Sequence, residues 1–176
     1  MMDEQEKRKD RAGEGKSRPR VLVSACLLDF KCRYDGKGEL NDEVHALMRE
    51  ADLIPICPEI YGGLATPREP AERVGERVVT KSGTDVTVQY KKGARAALHL
   101  AELYGCTCAL LKERSPSCGS GMIYDGSYTG KTIPGYGVCS ELLKEHGIAV
   151  FGESRVDECR KFLEAGGKVC YNQSPE

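Results

Sequence analysis

Three cysteines of the chain each lie at, or just beyond, the downstream end of a short apolar segment. Cys26 follows VLVSA, Cys57 follows DLIPI, and Cys118 comes a few residues after CALLK. If the three segments are parallel strands of one sheet, their sulfurs meet at the edge where open α/β sheets bind ligands. Thiolates are the ligands of iron–sulfur clusters and of other thiophilic metal sites. The sequence therefore predicts a metal or iron–sulfur site with one open position at this edge.

Polar side chains accompany these cysteines along the chain. Glu59 follows Cys57 by two residues, so both side chains point the same way if the loop is extended. A carboxylate at such a site could activate water or shuttle a proton. Ser115 offers a hydroxyl for hydrogen bonding or proton relay. The further candidates for binding a polar substrate are Asp35, Arg68 and Ser117.

Other cysteines leave alternative interpretations open. Cys32 follows Cys26 by six residues and could supply a fourth sulfur, which would close the site into a non-catalytic sensor or sulfur carrier. A thiol oxidoreductase without metal is disfavoured because the chain has no C-x-x-C motif. A zinc ribbon is disfavoured for the same reason, and no histidine lies near these cysteines.

Composition excludes several classes of protein. The chain has 176 residues, nine of them cysteines. With a net charge of −1, it lacks the excess of basic residues that is typical of a nucleic-acid-binding protein. Its N-terminal residues carry charges of both signs without the apolar core of a secretory signal, and no segment is apolar enough to span a membrane. Such a chain is expected in the cytoplasm, where cysteines more often serve metal binding or catalysis than disulfides.

The pattern of apolar segments predicts one small α/β domain. Continuous apolar runs are typical of strands buried on both faces, and helices between them imply a mostly parallel, Rossmann-like sheet flanked by helices. Predicted strands cover residues 21–28, 52–57, 106–112 and 148–152, and predicted helices cover 41–51, 87–104, 140–145 and part of 155–170.

Three segments between these elements carry weaker signals. Thr66, with Glu69 three residues later, predicts a capping box and a short helix that ends at Gly75. Residues 77–87 suggest a small hairpin or a loop, and residues 123–137 suggest a hairpin or an extended loop. Cys159 falls among the polar residues of the last helix and does not indicate a site.

Five motifs in the order LVSACLL, CRYDG, CPE-x-x-GGL-x-TPR-x-PAE, SPSCG and YDG-x-x-x-GKTIPGYGV resemble the thiouracil desulfurase family. The resemblance covers residues 20–153. It leaves residues 1–19 as a predicted disordered tail and residues 154–176 as a predicted helical extension. The resemblance implies an α/β domain that binds a 4Fe–4S cluster through three cysteines and uses the open iron to remove sulfur from a small thiolated pyrimidine.

The resemblance also implies a role for each matching residue. The cluster ligands would be Cys26, Cys57 and Cys118, with Glu59 as the catalytic carboxylate and Ser115 as the assisting hydroxyl. Water would attack the C=S carbon while iron withdraws the sulfur, so no net electron transfer is needed. At position 29, where many members have glycine, this chain has Asp29.

Overall fold

The computed structural model describes residues 17–167, so most of the predicted tail and Cys170 lie outside the described residues. The elements, in chain order, are β1 (Arg20–Ser24), α1 (Asp42–Ala46), β2 (Asp52–Ile56), α2 (Pro58–Tyr61), β3 (Ala71–Val74), β4 (Arg77–Thr80), α3 (Thr87–Tyr104), β5 (Cys108–Leu111), β6 (Ser120–Tyr124), β7 (Thr132–Tyr136), α4 (Val138–Glu145), β8 (Ala149–Gly152) and α5 (Val156–Glu164).

Four of the strands form a parallel sheet in the order β2-β1-β5-β8. Val21 of β1 pairs with Leu53 on one side and with Cys108 on the other, and Cys108 in turn pairs with Ala149 of β8. The predicted α/β class and its parallel sheet are therefore confirmed.

Helices cover both faces of this sheet, which explains why its central strands are continuously apolar from Val21 to Val23 and from Cys108 to Leu111. Val21 and Val23 point to the face covered by α1 and α5. Leu22 points to the opposite face, where it packs with Ala94 and Ala97 of α3 and with residues of α4. Burial of successive side chains on opposite faces is what a strand between two helical layers requires.

The order of the strands creates a crevice at the carboxyl edge of the sheet. From β1 the chain first adds β2 on one side, and later crosses to add β5 on the other side. At such a reversal the connecting loops diverge, which leaves room for a ligand between the ends of the two central strands. The loops that follow β1, β2 and β5 are those that carry Cys26, Cys57 and Cys118.

The predicted short helix ending at Gly75 is wrong. Gly75 instead has φ +59° in the turn of the β3–β4 hairpin. The Glu69 carboxylate, which a capping box would direct back to Thr66, accepts hydrogen bonds from the backbone and hydroxyl of Ser82. Pro70 also disfavours a helix, because it lacks an amide hydrogen and restricts the preceding residue. The other predicted hairpin is formed by β6 and β7.

The last helix packs onto the sheet through residues that its polar sequence conceals. Val156 and Cys159 are buried, and the Cys159 sulfur lies 3.8 Å from that of Cys108 in β5. Cys159 is therefore a core residue of the α5 side rather than part of a polar surface. Among the helices of residues 17–167, none is both long and apolar enough to cross a bilayer.

Candidate metal centre

A cavity of about 490 Å³ opens at the carboxyl edge of the sheet, between the ends of β1, β2 and β5. Six of the eight residues predicted for the site line this cavity: Cys26, Cys57, Glu59, Arg68, Ser115 and Cys118. Cys32 lines it as well, so four cysteines share one space. The convergence that was expected from strand ends alone is thus present in the fold.

Short helical turns fix the first two cysteines. Cys26 lies in a 3₁₀ turn, Ala25–Leu27, that follows β1 directly. Cys57 is the N-cap residue of α2, and Pro58 occupies the start of that helix, where its fixed φ favours helix formation. Glu59 therefore lies in the first turn of α2 rather than in an extended loop.

A serine organises the loop that carries Cys118. The Ser115 hydroxyl oxygen accepts hydrogen bonds from the backbone N–H groups of Ser117 and Cys118, each at 3.1 Å. This local turn is a common use of serine, because its side chain replaces a backbone acceptor. Ser115 also donates to Oε1 of Glu59 over 3.5 Å. One side chain thus joins the cysteine loop to the carboxylate.

The N-terminus of α4 holds the same loop from behind. The backbone N–H of Cys139 donates to the Ser117 carbonyl at 2.9 Å, and the Ser140 hydroxyl donates to the Cys118 carbonyl at 2.7 Å. The first of these bonds satisfies an N–H group that a helix start leaves without an intrahelical partner. The loop is therefore anchored at both of its ends before any ligand binds.

Three thiols of the cavity, those of Cys32, Cys57 and Cys118, have a raised pKa and are stabilised in their neutral form. Hydrogen bonding to Cys26 is the largest cause that raises the pKa of Cys32 to about 11. Hydrogen bonding to Cys32, followed by burial, raises the pKa of Cys57. Burial raises the pKa of Cys118 to about 12. A metal centre bound by these thiolates must therefore displace their protons, which the positive charge of iron does readily.

The donor set fits an iron–sulfur cluster better than a single ion. Within residues 17–167, no three metal-ligating side chains meet at one point that an ion could occupy. A cluster instead takes one thiolate at each of several separate irons. The buried Ser117 hydroxyl has no hydrogen-bond partner among these residues, although buried polar groups are almost always paired. A metal-bound thiolate or sulfide beside it would supply the missing acceptor.

The carboxylate of the site is held in a buried ion pair. Oε2 of Glu59 lies 2.7 Å from Nε of Arg68 and 2.6 Å from Nη2, while both side chains are about nine-tenths buried. Burial opposes the charged form of Arg68, but the Glu59 carboxylate outweighs it and raises the pKa of the guanidinium. Glu59 thus presents one oxygen to Arg68 and the other, Oε1, to Ser115.

Comparison with known proteins places the chain in a family. The family model of 2-thiouracil desulfurase matches residues 21–155, which is most of the chain. The chain belongs to the 2-thiouracil desulfurase family. The family predicted from the five sequence motifs is therefore confirmed, and so is the prediction that the protein is an enzyme.

Two relatives resemble the chain over nearly their whole length. YbbK of Bacillus subtilis (strain 168), an uncharacterised protein, is 41% identical over 148 residues, which cover 78% of this chain and 98% of YbbK. The solved structure of the 4Fe-4S-dependent thiouracil desulfidase TudS is 48% identical and superposes with a TM-score of 0.79. That match covers 84% of this chain and 99% of TudS.

The first loop shows how this family member accommodates a non-glycine residue. Asp29 has φ +63°, a left-handed conformation that glycine adopts most easily and that aspartate tolerates better than most residues. A Cβ on Gly38 would lie 2.6 Å from the Asp29 carbonyl. The backbone at Gly38 is therefore in close contact with the backbone at Asp29. The loop therefore keeps a shape that a glycine at position 29 would favour.

Two predicted substrate-binding residues lie outside the lining of the cavity. Asp35 forms an ion pair with Arg33 at 3.3 Å and accepts a hydrogen bond from the backbone of Lys37. Arg33 does line the cavity, so Asp35 contacts the site through it. Ser117 is buried in the loop next to Cys118.

Sequence reasoning missed Tyr90, which lines the cavity from the first turn of α3. Its side chain is 3% exposed, and burial, followed by the charge of Glu59, raises the pKa of its phenol. The phenol therefore stays neutral beside the carboxylate, as a hydrogen-bond donor. In the sequence, Tyr90 has the pattern of a core residue of α3. Only the packing of α2 against α3 shows that it borders the cavity.

Proposed function

We propose that the protein is a 4Fe–4S-dependent desulfurase that hydrolyses the C=S group of a small thiolated pyrimidine without net redox chemistry. Water adds oxygen to the carbon as the C–S bond breaks, so C=S and H₂O become C=O and hydrogen sulfide. The observation that carries the proposal is one cavity that combines thiols from three strand ends with a carboxylate held by Arg68. Membership of the 2-thiouracil desulfurase family and the likeness to TudS support the same cofactor and substrate class.

The proposed ligands of the cluster are Cys26, Cys57 and Cys118. Bound by three thiolates, a cluster leaves one iron free to act as a thiophilic Lewis acid toward the substrate sulfur. The loops of all three cysteines are fixed by hydrogen bonds or helical turns of the protein, which supports a preorganised site. The reducing conditions of the cytoplasm suit these thiols, and we propose that the protein acts there.

Glu59 is the proposed general base. Its Oε2 is occupied by Arg68, so Oε1 is the oxygen that can take a proton from the attacking water. Ser115 donates its hydroxyl hydrogen toward Oε1, and it can pass that hydrogen on and receive another as a relay. Asp35 and Ser117 remain proposed contributors to substrate binding, with Asp35 acting through Arg33.

Replacing Glu59 with glutamine tests the proposed base. The amide keeps the shape of the side chain but cannot accept the proton, so turnover of 2-thiouracil should fall about 10²- to 10⁴-fold. Iron and labile sulfide should stay at wild-type levels, since no ligand changes. The measurement is the anaerobic loss of thiouracil absorbance after cluster reconstitution, with the exposed Glu102→Gln variant of α3 as the matched control. Wild-type turnover in Glu59→Gln would rule out this residue as the base.

One observation supports a second candidate, a closed and non-catalytic cluster. Cys32 is 5% exposed, it lines the same cavity, and its carbonyl accepts a hydrogen bond from the Cys57 thiol at 3.6 Å, so a fourth thiol is at hand. In such a protein the cluster would serve as a sensor or sulfur carrier, because no iron would be open to substrate.

Replacing Cys32 with alanine separates the two candidates. For the desulfurase we expect wild-type iron content and retained turnover, because Cys32 is not among the three ligands. For a four-cysteine site we expect loss of cluster or a changed electron paramagnetic resonance spectrum of its reduced form. The assay is iron and sulfide per chain together with that spectrum, measured under argon.

A further inference from the structure

We infer that Arg68 is a positioning residue for Glu59, with each of its three nitrogens engaged by protein groups rather than by substrate. The inference rests on the proposed function, because it assigns Arg68 to the general base of that reaction. It replaces substrate binding, the role that sequence analysis predicted for this residue, with a role inside the protein.

A count of donors supports the inference. A guanidinium has five N–H groups. Arg68 donates four hydrogen bonds: from Nε to Oε2 of Glu59 at 2.7 Å, from Nη2 to the Cys32 carbonyl at 3.0 Å, and from Nη1 to the Ala65 carbonyl and the Thr66 hydroxyl at 3.2 Å each. Its Nη2 also lies 2.6 Å from Oε2 of Glu59 in the ion pair. Every nitrogen is engaged, and the side chain is 9% exposed. A substrate could reach Arg68 only by displacing one of these partners.

The partners of Arg68 explain what the residue positions. Through the Cys32 carbonyl it connects the carboxylate of α2 to the loop that follows β1. The Cys57 thiol donates to the same carbonyl at 3.6 Å, a bond that ends when Cys57 becomes a metal-bound thiolate. Arg68 is then the remaining side-chain donor to that carbonyl among the described residues. It thus fixes both the rotamer of Glu59 and the loop beside it.

The identity of the side chain matters, because only arginine matches this set of acceptors. Lysine has three donors around one nitrogen and cannot bridge the carboxylate and the two carbonyls as a planar fork does. Methionine fills similar space but leaves the buried Glu59 without a counter-charge. We therefore use Arg68→Met to remove the interaction and Arg68→Lys to keep the charge while removing the fork.

The kinetic test divides turnover from substrate binding. In Arg68→Met we expect kcat for 2-thiouracil to fall roughly 10- to 100-fold, the usual effect of losing a residue that orients a side chain at a reactive centre. KM should change less than about twofold, since ground-state contacts to substrate are unchanged. Arg68→Lys should recover part of the lost kcat. A rise in KM of more than about tenfold with kcat retained would mean that Arg68 binds substrate, and would overturn the inference.

A double-mutant cycle adds a readout that does not depend on activity. If Arg68 acts through Glu59, Arg68→Met should lower kcat no further in a Glu59→Gln background. Thermal unfolding of the full chains, purified under argon, should show the same coupling. Arg68→Met alone should lower Tm by more than about 4 °C because it strands a buried carboxylate, and Glu59→Gln should relieve most of that loss.

The kinetic test and the Tm cycle together distinguish a failure of this inference from a failure of the proposed function. A wild-type protein that does not convert thiouracil refutes the proposed function, while the Tm cycle still decides whether Arg68 is coupled to Glu59. Additive effects on Tm, or additive losses of kcat in a protein that does turn over, would overturn the inference.

Discussion

Alanine at Cys118 should remove the iron–sulfur cluster, and with it all turnover of 2-thiouracil. Cys118 lies at the crevice between β1 and β5, in a loop held by Ser115 on one side and by the N-terminus of α4 on the other. No other thiol is present in this loop, residues 112–119, and the serine hydroxyls beside Cys118 are poor ligands for a thiophilic metal. The loss should therefore be complete rather than partial.

The measurement is iron and labile sulfide per chain after anaerobic reconstitution. We expect about four of each in the wild type and close to none in the variant, as for a 4Fe–4S centre. Cys26→Ala and Cys57→Ala should behave in the same way. Cys139→Ala is the matched control, since Cys139 is fully buried next to the same loop but lies outside the cavity lining.

A retained cluster in the Cys118→Ala protein would contradict the ligand assignment. So would loss of the cluster in Cys139→Ala with a normal thermal unfolding curve. In either case the thiols of the cavity would need a different pairing with metal, and Cys32 would be the first candidate.

The sequence allowed the sheet and the thiol cluster to be predicted for a clear physical reason. Strands covered on both faces must be apolar throughout, so their extents are visible as continuous runs, and parallel strands bring their carboxyl ends to one edge. Cys26 and Cys57 follow such runs directly, so their position required only the topology. Cys118 comes seven residues after the end of β5, and its place in the cavity depends on the turn built by Ser115.

The local signals around Arg68 were misleading because tertiary contacts outweigh them. Thr66 and Glu69 have the spacing of a capping box, worth about 1 kcal/mol, but Glu69 makes two hydrogen bonds with Ser82 in the hairpin region instead. The chain therefore stays extended, and this places Arg68 against the Glu59 carboxylate. No pattern in the sequence indicates that ion pair. Its partners are nine residues apart, with Glu59 in α2 and Arg68 in the loop between α2 and β3.

Close packing of α2 on α3 is the feature that the sequence hides most completely. A Cβ on Gly93 of α3 would overlap the Pro58 carbonyl oxygen and lie 2.6 Å from its carbon. A Cβ on Gly62 would likewise overlap the Gln89 carbonyl oxygen of α3. The two helices approach each other through these glycines, and α2 in turn carries Glu59. The position of Glu59, the proposed base, thus depends on a residue far along the chain.

Replacing Gly93 with alanine should therefore misplace the site, although alanine favours helices. The intrinsic gain in a helix interior is about 1 kcal/mol. Overpacking costs about 1–3 kcal/mol where side chains can adjust, and more where backbone must move, as it must at the Pro58 carbonyl. The clash should win, and α2 should shift with Cys57 and Glu59. We expect lower Tm, reduced cluster content and turnover lower by roughly 100-fold, the scale of a 1 Å misplacement.

Lys92→Ala provides the control, because Lys92 is exposed on the same turn of α3 and its replacement adds no atom to the helix interface. Both variants are compared with the wild type by thermal unfolding, iron content and anaerobic thiouracil turnover. If Gly93→Ala raised Tm and kept full turnover, the gain in helix propensity would have outweighed the clash. Glu59 would then be positioned by its ion pair with Arg68 alone, and the packing of α2 on α3 would not control the catalytic geometry.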